Sequence, residues 1–251
     1  MTGPRLSALV VVHNEADQLA ACLDRLTFTD EIVVVLDRCT DESRAIAARY
    51  TEHLIEGAWE IEGPRRNAGI DACGGEWIFE VDADERVSDA LAEQIRQVIA
   101  RARHGYFLVP YHNYIGDQLV RHGWGASWGV SATVRLFSKG AKRWGDQRIH
   151  PKVELSGERR WLTAPIEHYV DRDISDMIRR LDRYSTMRAR DLREAGNIGS
   201  LADNVRRLLS RFFKCYVLRQ GYREGGYGVL IALFAGLYPL ISHLKARYED
   251  E

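Results

Sequence analysis

The chain has 251 residues, of which 28% are charged, and its formal net charge is −1. This length can bury a substantial core as one α/β domain or as one domain with a helical appendage, and we expect the second arrangement. A near-neutral charge gives no global basic field, so nucleic acid is not an expected partner.

The cysteine spacing and the apolar segments of the chain predict the cellular location. The four cysteines stand far apart with no C-x-x-C pair, so neither a zinc knuckle nor a disulfide framework is indicated. No signal peptide precedes the first apolar run, so no export is expected and a cytoplasmic location fits best. The longest apolar run, 229–241, falls short of the roughly 20 residues that a membrane span requires.

The first 103 residues alternate between β-rich and helical patterns. Strands are predicted at 6–12, 31–36, 53–55 and 77–81, with helical patterns between and after them. This order predicts a mostly parallel sheet with helices on both faces. Ligands of such sheets bind beyond the carboxyl ends of the strands, and four acids fall there: Asp37, Asp41, Asp82 and Asp84.

The stretch Asp82-Ala83-Asp84 follows the fourth strand directly. Side chains alternate along an extended chain, so both carboxylates can approach one divalent cation, which could in turn bind a diphosphate. The alternative is a solvated turn before a helix that begins near Ser88. Neither G-x-G-x-x-G after the first strand nor G-x-x-x-x-G-K-[ST] is present, so dinucleotide and P-loop binding lose their main support.

The middle of the chain, 104–170, contains many aromatic residues and glycines. Strands are predicted at 106–109 and 131–138, with a loop between them that carries Trp124 and Trp128. This loop is either tucked against the sheet or exposed as a platform for a sugar ring, since an indole face matches the apolar face of a pyranose. Both interpretations stay open.

The C-terminal third is predicted to be helical. One helix is expected at 173–195, and a second from Ser200 is expected to bury Leu201, Val205, Leu208, Leu209 and Phe212. Its other positions are basic: Arg206, Arg207, Arg211 and Lys214. Together with the run at 229–241 this face could bind anionic lipid, with Phe234, Leu237 and Tyr238 inserted, or the run could pack into a core.

Four motifs give the chain a family resemblance. They are Val11-Val12-His13-Asn14-Glu15, then Glu31 to Asp37 with Thr40-Asp41, then Arg66-Asn67-Ala68, and then Val81-Asp82-Ala83-Asp84-Glu85. In this order and approximate spacing they resemble family 2 glycosyltransferases, and more closely the bacterial lipopolysaccharide-core β-glucosyltransferases. The similarity continues through Arg135-Leu136-Phe137, His150, His168 and the aromatic, glycine-rich segment from Phe213 to Gly228, and so covers nearly the whole chain.

The resemblance implies a GT-A fold, a nucleotide-diphosphate sugar donor such as a UDP-sugar, Mn²⁺ or Mg²⁺, and inversion at the anomeric carbon. The domains expected are a catalytic domain at 1–170, with a donor half at 1–103 and an acceptor-side half at 104–170, and a helical extension at 171–251. The implied donor-binding residues are Val12, Asn14, Glu15, Asp37, Asp41, Arg65, Arg66, Asn67, Asp82 and Ala83. The implied metal ligands are Asp82, Asp84 and His168, and the implied acceptor-binding residues are Trp124, Trp128 and Arg135.

The chain departs from the family where a catalytic base is expected. Relatives commonly carry G-W-Y-P-D and His-Glu where this chain has Gly123-Trp124-Gly125-Ala126-Ser127 and His150-Pro151. Both changes remove an acid, although transfer to a hydroxyl needs a general base. The remaining candidates are Asp146, His150 and Glu154.

The leading hypothesis is an inverting transferase that acts on a cell-envelope glycan or a lipid-linked acceptor, such as lipopolysaccharide core, with peripheral contact at the inner face of the cytoplasmic membrane. One alternative is transfer to a polyprenyl phosphate, which needs no base. The other is a nucleotide-sugar-binding protein without turnover. The sequence leaves the oligomeric state open.

Overall fold

The structure is a computed structural model that describes residues 3–124, 131–147 and 152–249. It divides into two compact units, the first formed by 1–111 with 132–168 and the second by 112–131 with 169–251. The first unit ends at His168, and the expected domain division at residue 170 stays a prediction. Residues 112–131, which the sequence pattern assigns to the acceptor-side half, belong to the second unit.

Within the first 103 residues, strands and helices alternate in the order that the sequence predicts, apart from one additional short strand at Glu85–Arg86. The strands are β1 (Leu6–Val12), β2 (Glu31–Asp37), β3 (Leu54–Gly57), β4 (Trp77–Asp82), β5 (Glu85–Arg86), β6 (Gly105–Ile115), β7 (Gln118–Val120), β8 (Ala132–Ser138), β9 (Lys142–Trp144), β10 (Val153–Leu155), β11 (Glu158–Trp161) and β12 (Ile166–Asp171). The α-helices are α1 (Ala16–Leu23), α2 (Ser43–Ala47), α3 (Glu62–Ala72), α4 (Asp89–Ile99), α5 (Ile174–Glu194), α6 (Leu201–Phe213) and α7 (Gly225–Tyr248).

The main sheet of the first unit has the strand order β3-β2-β1-β4-β8-β6. The pairs among β3, β2, β1 and β4 are parallel, whereas β8 is antiparallel to both β4 and β6. The sheet is therefore mostly parallel, as predicted. In the register of β1, Val12 lies opposite Leu36 and Val11 lies opposite Asp82, so the ends of β2 and β4 flank the end of β1.

Helices cover both faces of this sheet, which confirms the predicted α/β class. One apolar cluster joins Leu19 of α1 and Leu91 of α4 to the sheet, and another joins Ile70 of α3 to its opposite face. The strands are nearly continuous apolar runs because both of their faces are buried. In α3, a Cβ at Gly69 would come within 2.4 Å of the Leu9 side chain, so a glycine permits this close packing.

The second unit is mainly helical. Its two predicted helix starts are confirmed, since Asp173 and Ser200 cap α5 and α6 by accepting hydrogen bonds from the N–H groups of Asp176 and Asp203. A π-helical turn at Lys214–Leu218 and a 3₁₀ turn at Gly221–Glu224 connect α6 to α7. The core of this unit contains Ile115, Val120, Met177, Leu181, Cys215, Ile231, Ala232, Phe234 and Ala235.

The predicted buried face of α6 is wrong for three of its five residues. Leu201, Val205 and Leu209 are exposed to 51%, 43% and 65%. The helix packs instead through the neighbouring face that contains Asn204, which is only 3% exposed. The apolar residues of α6 extend beyond the face that packs within the unit, so the packing of α7 decides which of them are buried.

The apolar run near the C-terminus forms part of a longer helix than expected. Among the described residues, one helical stretch, Gly221–Tyr248, is long and apolar enough to cross a membrane, judged by length and composition alone. Half of its most apolar window is buried within the protein, and a buried core helix can pass the same test. Phe234, one of the side chains expected to insert into lipid, is 7% exposed and lies in the helical core.

Candidate functional site

The loops that follow β1 and β2 are tied to each other by short hydrogen bonds. Asn14 and Arg38 follow these strands with positive φ of 56° and 50°, a conformation that turns the chain sharply. The Asn14 side-chain oxygen accepts from the N–H of Thr40 at 2.7 Å, and Asp41 accepts from the N–H of Ala16 at 2.9 Å. The predicted donor residues Asn14 and Asp41 therefore shape the edge of the sheet.

Asp37 is fully buried at the end of β2. Its carboxylate accepts from Arg38 Nε and Nη2 at 3.0 Å each, from Arg65 Nη1 at 2.9 Å and from the N–H of Trp59 at 3.1 Å. Burial alone would raise the pKa of Asp37, but these donors hold it below its usual value. Four donors occupy the capacity of a carboxylate, so a further ligand has to displace one of them.

Asp82 lies between two arginines at the end of β4. Its Oδ1 accepts from Arg66 Nη1 at 3.2 Å, and its Oδ2 forms an ion pair with Arg135 Nη2. Burial opposes ionisation, but the two guanidinium groups lower the pKa of Asp82 well below its usual value. The structure thus brings three predicted residues together, with Arg66 and Arg135 both directed at Asp82.

Three charged residues of this network are absent from the predicted site residues, although Glu85 belongs to one of the sequence motifs. Glu80 and Glu85 are fully buried, and Lys142 is 5% exposed. Lys142 Nζ donates to Glu80 at 2.5 Å, while Glu85 pairs with Arg135. Lys142 and Arg66 outweigh burial and lower the pKa of Glu80 to about 2. An acid inside the apolar run of β4 is a sequence signal for a buried ion pair, but nothing local identifies its partners.

Glu85 differs from the other acids of the network. Burial raises its pKa, and the carboxylates of Asp82 and Asp84 raise it further, whereas Arg135 acts in the opposite direction. Its second oxygen accepts from the N–H of Asp82 at 2.9 Å and so fixes the turn after β4. This turn orients the side chain of Asp84.

Asp84 and His168 form the part of the site that suits a divalent metal ion. β12 pairs with β5 so that His168 lies opposite Glu85, and His168 Nε2 is 3.3 Å from Asp84 Oδ2. Burial lowers the pKa of His168, but the hydrogen bond with Asp84 outweighs it and the net change is upward. Both side chains are partly exposed, to 26% for His168 and 33% for Asp84, so solutes can reach them.

The donor set fits a metal only in part. Within residues 3–124, 131–147 and 152–249, no group of three His, Cys, Asp or Glu side chains is arranged to hold a metal ion. Asp84 and His168 supply two ligand atoms, which suits Mn²⁺ or Mg²⁺ held by few protein groups and completed by phosphate oxygens. Both oxygens of Asp82 face arginines, so its predicted metal role stays a prediction.

A cavity of about 280 Å³ lies beside this network. It is lined by Arg66, Asp82, Thr133, Val134, Arg135, Lys142, Trp144, Val153 and Leu155. The Trp144 ring is contacted by two cations, with Lys142 Nζ 4.9 Å and the Arg66 guanidinium carbon 5.1 Å from the ring centroid. Asn67 holds Trp144 through two main-chain hydrogen bonds of 2.8 and 3.0 Å, so this predicted donor residue supports the cavity wall.

The base candidates occupy different positions. Asp146 is exposed and lies two residues after Trp144. Glu154 sits between Val153 and Leu155, which line the cavity, and alternation along β10 turns it to the opposite face. His150 lies outside the described residues.

Trp124 is not one of the described residues that line this cavity. Trp124 belongs to the second unit, where its indole N–H donates to the main-chain oxygen of Val120 at 2.9 Å. Trp128 lies outside the described residues. Their predicted acceptor role stays a prediction.

Comparison with known proteins gives one family match. The family model described as "Glycosyl transferase family 2" matches residues 7–151, more than half of the chain. The lipopolysaccharide core biosynthesis glycosyltransferase LpsC of Rhizobium meliloti is 22% identical over 96% of this chain and 91% of its own. An uncharacterized glycosyltransferase of Rickettsia conorii is 24% identical over 97% of this chain and 90% of its own.

Solved structures show lower similarity. Residues 1–349 of S. aureus TarS are 15% identical with a TM-score of 0.49, and the match covers 73% of this chain and 63% of that one. Glucosyl-3-phosphoglycerate synthase from Mycobacterium tuberculosis, solved with Mg²⁺ and UDP, is 16% identical with a TM-score of 0.37 over 44% of each chain. The chain therefore spans less than two thirds of these crystallised proteins.

Proposed function

Because the chain belongs to glycosyl transferase family 2, we propose that it transfers a sugar, with inversion, from a UDP-sugar to a cell-envelope glycan or lipid-linked acceptor. The observation that carries this proposal is that Asp37 ends β2 and Asp84 follows β4, two strands of the parallel part of one sheet, and that His168 pairs with Asp84. Ligands of mostly parallel sheets bind at this edge. The similarity to LpsC, which is described as a lipopolysaccharide core biosynthesis glycosyltransferase, supports lipopolysaccharide core as the acceptor.

The nucleoside is bound near Asp37 in this proposal. The Arg38 side chain is 51% exposed, so its guanidinium can move and free two acceptor positions on Asp37 for a base or ribose. Arg65 Nε is buried and has no hydrogen-bond partner among the described residues. A phosphate oxygen of the donor would satisfy it, because guanidinium groups bind phosphate through directed N–H donors.

Asp84 and His168 would hold the Mn²⁺ or Mg²⁺ ion, which stabilises negative charge on the departing diphosphate. Glu85 supports this pair by fixing the turn that carries Asp84. Arg135 and Arg66 balance the charge of Asp82 and keep it in place beside the cavity. Among the base candidates we assign Asp146, since it is exposed and close in sequence to the cavity-lining Trp144.

The experiment combines donor binding with product analysis. Nucleotide sugars are screened by thermal shift with and without Mn²⁺, because the correct donor raises the melting temperature by mass action. The best donor is then incubated with purified lipopolysaccharide core or with polyprenyl phosphate, and the products are identified by mass spectrometry and by the anomeric configuration.

A β-linked sugar on the core from an α-linked donor supports the proposal. Transfer to the polyprenyl phosphate alone would replace it with the second candidate, which the two missing acids of the sequence favour because that reaction needs no base. Donor binding without transfer or hydrolysis would identify a non-catalytic binding protein.

A further inference from the structure

A stripe of apolar side chains on α6 faces solvent. It consists of Leu201, Val205, Leu209 and Phe213, which are exposed to 51%, 43%, 65% and 53%. We call these four residues the α6 stripe. Residues four apart lie on the same side of a helix, so the stripe is continuous over three turns. Soluble proteins rarely expose such a surface unless it contacts a partner or a membrane.

The stripe is not the face through which α6 packs in its own unit. That face carries Asn204, which is 3% exposed, and Leu208, which lies against α7 where Gly236 leaves no room for a side chain. A Cβ at Gly236 would stand 2.7 Å from the Leu208 carbonyl oxygen. Since α7 already occupies the packing face, the stripe is a second apolar surface on the same helix.

Positive charge borders the stripe. Residues 200–223 contain six basic side chains, Arg206, Arg207, Arg211, Lys214, Arg219 and Arg223, and one acid, Asp203. Asp203 is the cap partner of Ser200 and lies 3.8 Å from Arg206, so it offsets only one charge. Arg206, Arg207 and Lys214 are exposed. An amphipathic helix with exposed apolar residues and a basic border is the composition that anionic bilayer surfaces bind.

The apolar surface continues past the end of α6. Leu218 is 65% exposed and Tyr222 is 54% exposed, with basic Arg219 and Arg223 between and after them. Tyrosine suits the boundary between headgroups and acyl chains because its ring is apolar and its hydroxyl is polar.

We propose that α6 lies in the plane of an anionic membrane surface, with the α6 stripe inserted at the level of the acyl-chain boundary and the basic residues among the headgroups. This places the contact on α6 and not on Phe234 of α7, which is buried. The inference is independent of the proposed reaction, since membrane binding can be measured without donor or acceptor.

The test is flotation of the full-length protein with phosphatidylcholine vesicles that contain none or about one third phosphatidylglycerol. The protein should float only with the anionic vesicles, and binding should fall as salt is raised from about 0.1 to 1 M, because the Debye length shortens from about 10 to 3 Å. Leu209→Glu and Phe213→Glu should each lower the partition coefficient about tenfold or more. Trp161→Glu is the matched control, since Trp161 is 55% exposed in the first unit.

A second pair of variants isolates the charge contribution. Arg206→Gln with Lys214→Gln should weaken binding to anionic vesicles at least about tenfold, while Arg101→Gln with Arg103→Gln, two exposed positions of the first unit, should not. Circular dichroism confirms that each variant is folded.

Four results would overturn the proposal. The first is that the intact protein stays in the soluble fraction with anionic vesicles at low salt. The second is that the stripe variants float as well as the Trp161 control. The third is that detergent releases the protein from the vesicles and salt does not, as expected if α7 spans the bilayer. The fourth is a dimer in solution that Leu209→Glu converts to a monomer without any vesicle binding, which would assign the stripe to a second copy of the chain.

Discussion

Asp37 and Asp82 are the last residues of β2 and β4, and each carries a carboxylate. Asp37 is balanced by Arg38 and Arg65, and Asp82 by Arg66 and Arg135. Hydrogen bonds to charged groups contribute more than neutral ones, so these pairs fix both acids in one orientation. A ligand that uses either carboxylate has to compete with an arginine for it.

Among the described contacts, Asp84 pairs with His168 and not with an arginine. We therefore expect Asp84 to bind ligands directly. Asp84→Asn should weaken Mn²⁺-dependent donor binding about tenfold or more, because an amide is a poorer ligand for a hard cation than a carboxylate. Titration calorimetry of the donor with and without Mn²⁺ measures the effect. Asp89→Asn is the control, since that carboxylate is fully exposed at the start of α4. Equal Mn²⁺-dependent affinities for Asp84→Asn and wild type would remove Asp84 from the metal site.

The depressed pKa of Asp37 predicts a pH-dependent contribution to stability. Its pKa lies below the ordinary 3.8 in the folded protein, so the stabilisation is complete above the unfolded value and is lost as pH falls through the folded one. Asp37→Asn should therefore cost about 2 kcal/mol at pH 7, and the difference from wild type should shrink below about pH 4. Denaturant unfolding between pH 7 and pH 3 measures both values.

Asp71→Asn serves as the comparison for this experiment. Asp71 forms an ion pair with Arg143 in which both side chains are more than half exposed, and such pairs contribute little. A difference between wild type and Asp37→Asn that stays constant from pH 7 to pH 3 would contradict the assigned charge interaction.

Within β4, alternation of the strand places Glu80 in the core, and its partners come from other elements. Glu80 faces Arg66 of α3 and Lys142 of β9. These contacts join a helix and two strands through a single buried carboxylate. A buried ion pair of this kind contributes little net stability compared with apolar residues, but removing one partner leaves a costly charge.

Lys142→Met should destabilise the fold by about 3 kcal/mol, because Glu80 keeps only Arg66 as a partner. The double variant Glu80→Gln/Lys142→Met should recover part of this loss, since it removes the uncompensated charge. Urea unfolding of both single variants and the double variant gives the coupling free energy. Additive effects would show that the two side chains do not interact in solution.

The contact between α6 and α7 depends on Gly236. Gly236→Ala should lower the free energy of unfolding by about 1–3 kcal/mol, because its Cβ would stand 2.7 Å from a backbone oxygen that cannot move freely. Gly226→Ala, on the same helix but with no atom within 4 Å of its Cβ, should raise stability by up to about 1 kcal/mol. Thermal or urea unfolding compares the two variants. Equal effects would mean that the helices do not approach so closely.

For the molecule as a whole, the sequence predicted the α/β class, and the family match together with the mostly parallel sheet confirms the GT-A fold. The strand ends at Asp37 and Asp82 were also predictable, because apolar runs that stop at an acid are local patterns. The partners of these acids were not predictable. Arg135 reaches Asp82 only because β8 pairs with β4 in an antiparallel register, which no local pattern encodes.

The buried face of α6 was predicted wrongly for the same reason, because local patterns do not identify the partner against which an element packs. Helical periodicity identifies apolar positions, but Leu201 and Leu208 look alike in sequence although only Leu208 lies against α7. Which side of a helix is covered depends on the helix that packs against it. Glu80 and Glu85 are fully buried, and this burial was not predictable from the sequence because it depends on the complete sheet.

The distance in sequence between Asp82 and Arg135 also has a consequence for folding. The two residues are 53 positions apart, so their contact forms only after a long loop has closed. Until β8 and β9 join the sheet, Asp82 lacks Arg135 and Glu80 lacks Lys142, so both acids remain partly solvated charges in the strand segment Trp77–Asp82, which is otherwise aromatic and aliphatic. Charges within such a segment oppose its association with other chains. We therefore expect Glu80 and Asp82 to keep the nascent chain from aggregating during synthesis.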